Sequence, residues 1–423
     1  MRFNTLNDWL AWQETLHPKA IDLGLERVRE VAARMDLLEP AHSVITVAGT
    51  NGKGSSVAML EAILACTGVR VGTYTSPHLW HYNERIRIDG QPIDDAALVA
   101  AFDRIDTARG EISLSYFEFG TLAALDLLQR AGVDVAVLEV GLGGRLDAVN
   151  ILDADCALVT GIGIDHVEWL GSDREAIGRE KAGIFRAGRP AVCSDPRPPA
   201  SLREAAQDVG ALWYGLGEQF GYTCAATTWD WWGPDLKLLA LPLPAMTGPF
   251  QVQNAAGVLM ALQALGARVP VTVQALHAGL RAARVPGRFT VVPGPVETIP
   301  VETIFDVAHN PHAAAALADA LAARPCSGRT LAVCGMLADK DVAGVAHALA
   351  GQVQHWYLGG LTGVRGQSAQ DLAERMALAA AQRQLYPDMA TAYAAALAQA
   401  QPGDRVVVFG SFHTIAELLP TGL

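Results

Sequence analysis

The segment Val44-Ile-Thr-Val-Ala48 runs directly into Gly49-Thr-Asn-Gly-Lys-Gly-Ser55, and apolar residues at helical spacing follow over residues 57–64. A strand, a glycine-rich turn and a helix N-terminus in this order form a cradle for phosphate, because unpaired backbone N–H groups and the helix dipole face the anion. Lys53 is placed to bind phosphate oxygens, and Ser55 to help hold magnesium. The glycine between them departs from the common G-x-x-x-x-G-K-[ST] pattern. The segment predicts an α/β domain that binds a nucleotide, with a glycine-rich turn that binds nothing as the alternative.

Composition places the chain among ordinary globular proteins. Its 423 residues are enough for two domains with buried cores, and 51% are hydrophobic against 18% charged. The formal net charge is -12, and no run of Lys or Arg occurs. A nucleic-acid-binding protein needs a basic stripe, so we expect no nucleic-acid partner. Any anionic substrate must be held by local positive groups.

The cysteines and the N-terminal region indicate the compartment. Six cysteines are scattered without a CxxC pair, which supports neither a disulfide framework nor a zinc site. The first twenty residues contain Asp8, Glu14 and Lys19 and no long apolar run, so we expect no secretory signal. No stretch reaches the roughly twenty apolar residues of a membrane span. The sequence predicts a cytoplasmic protein without a membrane partner, and a monomer is expected.

Short β-branched runs alternate with longer helical patterns, which is typical of βαβ units around a mostly parallel sheet. The apolar run Val133–Val140 is expected of a central strand covered on both faces. A new β–α alternation begins after Pro286-Gly287. We therefore predict an α/β fold with a P-loop-containing, mostly parallel sheet domain, residues 1–287, and a smaller Rossmann-like α/β domain, residues 288–423. The predicted strands are 43–48, 69–74, 133–140, 156–162, 189–193, 288–292, 301–307, 329–334, 353–358 and 404–409, and the later predicted helices are 251–266, 271–282, 311–323, 339–350, 368–381 and 388–399.

Two segments interrupt this alternation. Residues 213–245 hold four tryptophans and several prolines, which predicts an irregular β-rich insertion whose aromatic residues pack in a core. The sequence Pro-Val-Glu-Thr-Ile occurs twice, at 295–299 and 300–304. The repeat is too short for a repeat architecture and favours a local duplication that lengthens a hairpin.

Polar side chains stand at the predicted carboxyl ends of the strands, where open parallel sheets bind ligands. Thr75-Ser76-Pro77-His78 follows the second strand, Glu139 ends the third, and Asp165-His166 follows the fourth. Ser76, Glu139 and His166 offer a hydroxyl, a carboxylate and an imidazole to magnesium bound to ATP. Oxygen ligands suit magnesium and an imidazole is less usual, so a hydrogen-bonded loop residue is the alternative for His166. Convergence with the phosphate loop favours the metal site.

A helix is predicted after Ser172-Asp-Arg-Glu175, which has the pattern of a capping box. On this helix Ile177, Lys181 and Ile184 fall on one face, so Lys181 shares an apolar stripe. From the pattern alone, an ammonium that reaches water along its own stem is favoured. The alternative is a lysine held neutral by burial, which reacts with carbon dioxide to give a negatively charged carbamate.

Motifs spread over essentially the whole chain carry a specific resemblance. They are Ile21–Arg27, Val47–Gly54, Ser76–His78, Ser115–Glu118, Leu138–Asp147, Asp165-His166, Gly178–Phe185, Phe305–His312 and Gly410–Thr414. With them the chain resembles the bacterial bifunctional dihydrofolate synthases/folylpolyglutamate synthases of the Mur ligase superfamily. The departure from the common P-loop pattern is shared by that superfamily.

The resemblance implies ATP-dependent addition of L-glutamate to dihydropteroate and to reduced folates through an acyl phosphate, with Mg2+ as cofactor. It implies that Ser76, Glu139 and His166 hold the metal, and that Lys53, Lys181 and His166 are catalytic. It also implies that Lys181 is carbamylated, which replaces the interpretation as a lysine reaching water. The implied contacts to ATP are Thr50, Asn51, Gly52, Lys53, Gly54, Ser55, Asn254, Arg288 and Asp306. The implied contacts to the pterin substrate are Ser115, Tyr116, Phe117, Glu118, Leu146, Asp147 and Ala148, with Phe117 suited to stacking on the ring and Asp147 to accepting its N–H donors.

Two other functions compete with this interpretation. Peptidoglycan-precursor ligases of the same superfamily carry a sizeable nucleotide-sugar-binding domain ahead of the phosphate loop, whereas only 48 residues precede Gly49 here. A P-loop ATPase without ligase activity needs the phosphate loop alone, and the polar strand ends and Ser115–Glu118 speak against it. Because one fold and one site serve both acceptors, the sequence leaves open whether both ligase activities are present.

Overall fold

A computed structural model gives the structure of the chain and describes residues 1–19, 21–293 and 301–421. The chain divides into two compact units, Met1–Ala245 with Val252–Ala283, and Met246–Gln251 with Arg284–Leu423. Each unit contains a sheet that is mostly parallel, which confirms the predicted α/β fold class. Within the described part of the chain, no helix combines the length and apolar character that a membrane span requires.

The first unit is built on an eight-stranded sheet. Its strands are β1 (Ser43–Ala48), β2 (Val71–Tyr74), β3 (Ile86–Ile88), β4 (Gln91–Pro92), β5 (Val135–Glu139), β6 (Cys156–Val159), β7 (Pro190–Cys193) and β8 (Leu212–Gly215). They lie in the order β4-β3-β2-β5-β1-β6-β7-β8, with all neighbours parallel from β2 to β8 and an antiparallel edge of β3 and β4. Both β1 and β5 are central and almost wholly buried, as strands covered on two faces must be. The phosphate loop therefore leaves the middle of the sheet.

Helices cover both faces of this sheet. They are α1 (Leu6–Leu16), α2 (Glu26–Arg34), α3 (Lys53–Ala65), α4 (Asp95–Arg109), α5 (Tyr116–Ala131), α6 (Val167–Leu170), α7 (Arg174–Ala182), α8 (Ala200–Val209), α9 (Pro249–Leu265) and α10 (Val273–Ala282), with short 3-10 helices at Tyr82–Arg85, Ala148–Ile151 and Gly266–Arg268. One core forms where α1, α2, α4 and α5 pack over β2, β5 and the start of β1. A second forms where α7 and α8 pack beside β6 and β7. These two cores position β5, α5 and α7, which carry Glu139, Ser115–Glu118 and Lys181.

The tryptophan-rich segment forms a separate antiparallel sheet of β9 (Gly221–Cys224), β10 (Thr228–Gly233) and β11 (Leu236–Pro242). Trp229 and Trp231 are fully buried, and their indole N–H groups donate to Pro242 O at 2.9 Å and Ala256 O at 3.1 Å. The expected β-rich insertion and its aromatic core are confirmed. Its start was placed wrongly, because Leu212–Gly215 pairs in parallel with β7 and belongs to the main sheet as β8.

The second unit is an open α/β sheet of Rossmann type. Its strands are β12 (Thr290–Pro293), β13 (Glu302–Asp306), β14 (Thr330–Cys334), β15 (His355–Gly359), β16 (Arg383–Tyr386) and β17 (Arg405–Phe409), in the order β12-β13-β17-β14-β15-β16. All neighbours from β13 to β16 are parallel, and β12 is antiparallel at the edge. Its helices are α11 (Pro311–Ala323), α12 (Val342–Leu349), α13 (Ala369–Arg375), α14 (Met389–Gln399) and α15 (Phe412–Leu418), with a 3-10 helix at Ala380–Gln382.

Two local predictions change, and a third lies largely outside the described residues. The helix predicted over 368–381 ends at Arg375, because Ala377 has a left-handed backbone (φ 53°), and β16 follows it. Helix α7 begins one residue later than the capping-box pattern indicates: Asp173, not Ser172, accepts the N–H of Ala176. The tandem repeat 295–304 lies largely outside the described residues, which resume at residue 301.

Gln13 on α1 is a polar residue in an apolar core. It is 1% exposed, and neither its amide oxygen nor its amide nitrogen has a partner among the described residues. An unsatisfied buried amide costs about 1–3 kcal/mol, so we expect Gln13→Leu to raise the free energy of unfolding by about that amount. Denaturant unfolding measures it, with Gln129→Leu on the exposed end of α5 as the control that gains nothing. A loss of stability in Gln13→Leu would contradict this account.

Candidate active site

The phosphate loop is tied to the loop that follows β6. The N–H groups of Thr50 and Asn51 donate to Gly161 O at 2.8 and 3.4 Å, and the Thr50 hydroxyl donates to Gly163 O at 2.9 Å. The Thr160 hydroxyl donates to Asn51 O at 2.8 Å. These bonds hold the loop open as a fixed turn between β1 and α3.

Glycine is required at two positions of this loop. A Cβ on Gly49 would overlap the Thr160 hydroxyl, and Gly52, at φ 96°, has a left-handed backbone that favours glycine. A Cβ on Gly52 would also lie 2.5 Å from Asn254 Oδ1. The structure thus brings Asn254, on α9, against the phosphate loop, although 202 positions separate it from Gly52.

Lys53 opens α3 and folds its side chain over the loop. Its Nζ donates to Gly49 O at 3.1 Å and to Thr50 O at 3.3 Å. The positive charge of this ammonium lowers the pKa of Lys181 and the pKa of Asp147, so the three side chains lie close enough to interact electrostatically. Ser55, in the first turn of α3, is buried. The arrangement is that of a helix N-terminus prepared for an anion.

Two of the three predicted metal ligands lie together. Glu139 ends β5, is 5% exposed, and its Oε2 accepts the N–H of Ser76 at 3.3 Å. His166 is exposed, has a left-handed backbone (φ 52°) and caps α6. Within the described part of the chain, no group of three His, Cys, Asp or Glu side chains could hold a metal alone. A magnesium ion at Glu139 would therefore need further oxygen ligands, for which phosphate groups of ATP are suited.

Lys181 is buried on α7 together with Ile177, and the buried Ile184 lies two residues beyond the end of this helix at Ala182. Burial lowers the pKa of its ammonium to about 7; Lys53 lowers it as well, whereas Asp165, Asp147 and Glu180 act in the opposite direction. The predicted apolar surroundings of Lys181 are confirmed, but the helical stripe covers only Ile177 and Lys181. Because the ammonium does not reach water, the interpretation as a surface-reaching lysine is wrong.

The segment Ser115–Glu118 forms the N-terminus of α5. Ser115 and Glu118 cap each other: the N–H of Ser115 donates to Glu118 Oε2 at 2.7 Å, and the N–H of Glu118 to Ser115 Oγ at 3.4 Å. Glu118 Oε1 accepts Arg27 Nη2 at 3.2 Å, and Arg27 also binds Asp22. This network links the segment to the chain ahead of α2, a connection that no local pattern indicated.

Phe117 packs at the carboxyl edge of the sheet. A Cβ on Gly141 would lie 2.6 Å from its ring, and its centroid is 5.9 Å from that of Tyr74. Asp147 is buried, and its carboxylate accepts the N–H groups of Leu142 at 2.8 Å and Val149 at 3.0 Å. Burial raises the pKa of Asp147 to about 6, against the lowering by these backbone donors and by Lys53. Leu146 and Ala148 flank it in the same loop.

Asn150 locks this loop to the helix that carries Lys181, and sequence reasoning missed it. Its Nδ2 donates to Arg145 O at 3.1 Å and to Gly183 O at 3.0 Å. A Cβ on Gly144 would lie 3.0 Å from the Cα of Lys181, so the loop and α7 touch without side chains between them. The only feature of the sequence that could have indicated this role is the position of Asn150, three residues after Asp147.

Arg288 and Asp306 lie in the second unit. Asp306 ends β13, and its carboxylate accepts the N–H groups of Phe289 at 2.9 Å and Ala308 at 2.8 Å. Burial raises its pKa, while Arg288 lowers it. Arg288 lies over the ring of Phe412 at 5.4 Å. The two side chains form one charged group at the carboxyl end of β13.

Two family models match the chain, the Mur ligase middle domain over residues 47–262 and the Mur ligase glutamate ligase domain over residues 287–412. The phosphate loop on the first sheet and the Rossmann-type second sheet thus define a Mur-type ligase.

Individual proteins are similar over almost their whole length. The dihydrofolate synthase/folylpolyglutamate synthase of Escherichia coli K12 is 48% identical, over 98% of this chain and 94% of its own. The solved E. coli FolC structure in complex with DHPP and ADP has a TM-score of 0.92 at 48% identity, covering 98% of this chain and 97% of that one. A bifunctional folylpolyglutamate synthase/dihydrofolate synthase with Mn, AMPPNP and L-glutamate bound has a TM-score of 0.90 at 46% identity, covering 98% and 97%. The chain belongs to the Mur ligase family and, within it, to the dihydrofolate synthases/folylpolyglutamate synthases.

Proposed function

We propose that the protein is an ATP- and Mg2+-dependent ligase that adds L-glutamate to dihydropteroate and to reduced folates. The observation that carries the proposal is the meeting, in one unit, of the phosphate loop, Glu139, Lys181 and the Asp147 loop. Relatives of the same architecture are named for both ligations and were solved with nucleotide, Mn and L-glutamate. A P-loop ATPase without ligase activity needs neither the buried Lys181 nor the Asp147 loop.

The reaction needs an activated carboxylate, because oxide is a very poor leaving group. Transfer of the γ-phosphoryl group to the acceptor carboxylate gives an acyl phosphate, and attack by the glutamate amine expels phosphate and forms the amide. The backbone N–H groups at the start of α3 and Lys53 bind the triphosphate and offset its charge. Magnesium, when bound, neutralises developing charge on the transferred group. Glu139 on β5, Ser76 in the loop after β2 and His166 in the loop after β6 would hold it.

The remaining predicted contacts complete the proposal. We assign Thr50, Asn51, Gly52, Gly54 and Ser55 of the phosphate loop to the nucleotide, together with Asn254 beside the loop. Arg288 and Asp306 are assigned to the nucleotide from the second unit. Ser115–Glu118 and Leu146–Ala148 receive the pterin, with Phe117 against its ring. We further propose a monomer that acts in the cytoplasm; light scattering of the purified protein measures the first and fractionation the second.

Both acceptors are expected to react. Dihydropteroate carries its carboxylate on the aminobenzoyl ring, whereas a folate monoglutamate presents a γ-carboxylate roughly one residue's span farther out. The pterin must therefore be seated differently in the two reactions while the phosphate loop and metal ligands stay fixed. Labelled glutamate incorporation into each acceptor, at saturating ATP and magnesium, tests both activities. Incorporation into only one acceptor would limit the function to that ligation.

Phe117→Ala tests the separate seating. We expect it to reduce dihydropteroate ligation more than tail extension, because the shorter acceptor has fewer other contacts to hold its ring. Removal of a stacking aromatic costs about 1–3 kcal/mol of binding, or roughly tenfold to hundredfold in KM. Phe119, two residues farther along α5, packs against Phe102 in the core, so Phe119→Leu controls for loss of aromatic packing. Equal losses in the two assays would refute separate seating but leave the ligase function standing.

A further inference from the structure

Arg85 is a buried cation for which the described residues supply no carboxylate partner. Of the described residues, three arginines are buried: Arg85, Arg109 and Arg405. Arg109 donates from Nε and Nη2 to Asp106 Oδ1 at 2.8 and 2.6 Å, and from Nη1 to Ile112 O at 3.0 Å. Arg405 donates to the Thr330 hydroxyl and to two backbone carbonyls. Both guanidinium groups thus have several oxygen acceptors.

Arg85 has far less. Its Nε donates to Nδ1 of His78 at 2.8 Å, and no carboxylate of the described residues pairs with it, although it is only 9% exposed. Its guanidinium carbon lies 5.2 Å from the ring centroid of Tyr82 and 5.7 Å from that of Tyr116. Aromatic faces stabilise a cation weakly, and a buried arginine ordinarily has an anionic or carbonyl partner. The guanidinium also acts as a hydrogen-bond donor to the Tyr74 hydroxyl, so three of its five N–H donors remain for another acceptor.

The surroundings of Arg85 belong to the candidate active site. His78 lies two residues after Ser76, whose N–H binds Glu139. Tyr116 precedes Phe117 at the start of α5. Arg85 also acts on Tyr74, at the carboxyl end of β2: burial raises the pKa of the Tyr74 hydroxyl to about 12, and the guanidinium lowers it. Arg85 therefore borders both the metal ligands and the proposed pterin site.

We propose that Arg85 binds a carboxylate of the acceptor substrate. This inference rests on the proposed function and adds a specificity-determining residue to it. A guanidinium fork matches a carboxylate with two parallel N–H···O bonds, which lysine cannot form. Two carboxylates share this chemistry: the reacting one, which both acceptors carry, and the α-carboxylate of a glutamate already attached, which dihydropteroate lacks.

The test compares Arg85→Met with Arg109→Met. The second variant removes a similarly buried cation from the end of α4, where the guanidinium carbon lies 5.1 Å from the centroid of the Trp12 ring. For each variant, KM is measured for ATP, glutamate, dihydropteroate and a reduced folate monoglutamate. Loss of a charged hydrogen-bonded pair predicts a rise of about tenfold to hundredfold in acceptor KM for Arg85→Met, with KM for ATP unchanged. A rise for both acceptors identifies the reacting carboxylate, and a rise for the folate alone identifies the α-carboxylate. Arg109→Met is expected to lose stability without a change in acceptor KM.

Arg85→Lys keeps the charge and the stem, and serves if the methionine variant does not fold. It is expected to show a smaller rise in the same acceptor KM. Unchanged acceptor KM in a folded Arg85 variant, or a rise confined to ATP, would overturn the inference. Failure of the wild-type protein to ligate either acceptor would instead refute the proposed function, so the two failures are distinct.

Discussion

Lys53→Ala is expected to abolish ATP-dependent ligation while the protein stays folded. Its Nζ donates to the carbonyls of Gly49 and Thr50, at the N-terminus of α3. Removing a positioned cation from the transferring phosphoryl group should lower kcat at least about a hundredfold. The half-buried side chain crosses no core, so the loss of stability should stay within about 1 kcal/mol.

Glutamate-dependent ADP formation measures this effect, with circular dichroism as the test of folding. Lys237→Ala is the control, because it removes an exposed lysine from β11. Ligation near the parental rate in Lys53→Ala would show that the phosphate-loop assignment is wrong. An unfolded variant would show that the lysine has a structural role as well.

The sequence predicted the bounds of elements that have a clear apolar pattern and a clear signal for their start or end. Strand β1 and helix α11 have the predicted bounds, because a continuous apolar run leads into glycine in the first case and Asn310-Pro311 starts the helix in the second. The prediction was weaker at sheet edges. Strands β3, β4 and β16 are short and only partly buried, so their sequences carry little alternation of apolar residues.

In the candidate site as well, features within one continuous segment could be predicted from the sequence, whereas contacts between distant segments could not. The phosphate loop is one continuous segment, and its motif is legible in the sequence. Asn254 reaches the loop from α9, and the partner of Glu118 is Arg27, 91 positions away. Only the resemblance to a family pointed to Asn254, and nothing pointed to Asn150 or Arg85. Such residues act through contacts that folding creates, and spacing along the chain does not encode them.

The sequence pattern favoured a Lys181 ammonium that reaches water, and the structure shows a buried one. A lysine on an amphipathic helix ordinarily extends its stem to water. Here Gly144 and Gly183 let the Asp147 loop close over α7, which leaves the lysine 3% exposed. The helical pattern showed the apolar stripe but not the loop that covers it.

We expect Lys181→Ala to be inactive and to regain part of its activity with acetate. Burial holds the pKa of the lysine near 7, so a substantial fraction of the amine is neutral at neutral pH. A neutral amine attacks carbon dioxide: the N–C bond forms, one proton leaves to solvent, and a carbamate with one negative charge results. Carbamylation of Lys181 therefore replaces a positive charge near Lys53 with a negative charge, which attracts the Lys53 ammonium. Lys181→Glu should keep a little activity, since it supplies a carboxylate on a shorter stem.

The pH dependence follows from the direction of the shift. Carbamate formation needs the neutral amine, whose fraction rises as pH increases through about 7. Enzyme depleted of carbon dioxide about one unit below that pKa should therefore lose activity, and bicarbonate about one unit above it should restore the activity. A carbon-13 NMR signal from labelled bicarbonate, present in the wild type and absent in Lys181→Ala, identifies the adduct. Acetate should not rescue Lys53→Ala, because a carboxylate cannot replace a cation. Absence of the signal from fully active wild-type enzyme would eliminate the carbamate, and the buried amine itself would then have to be the functional group.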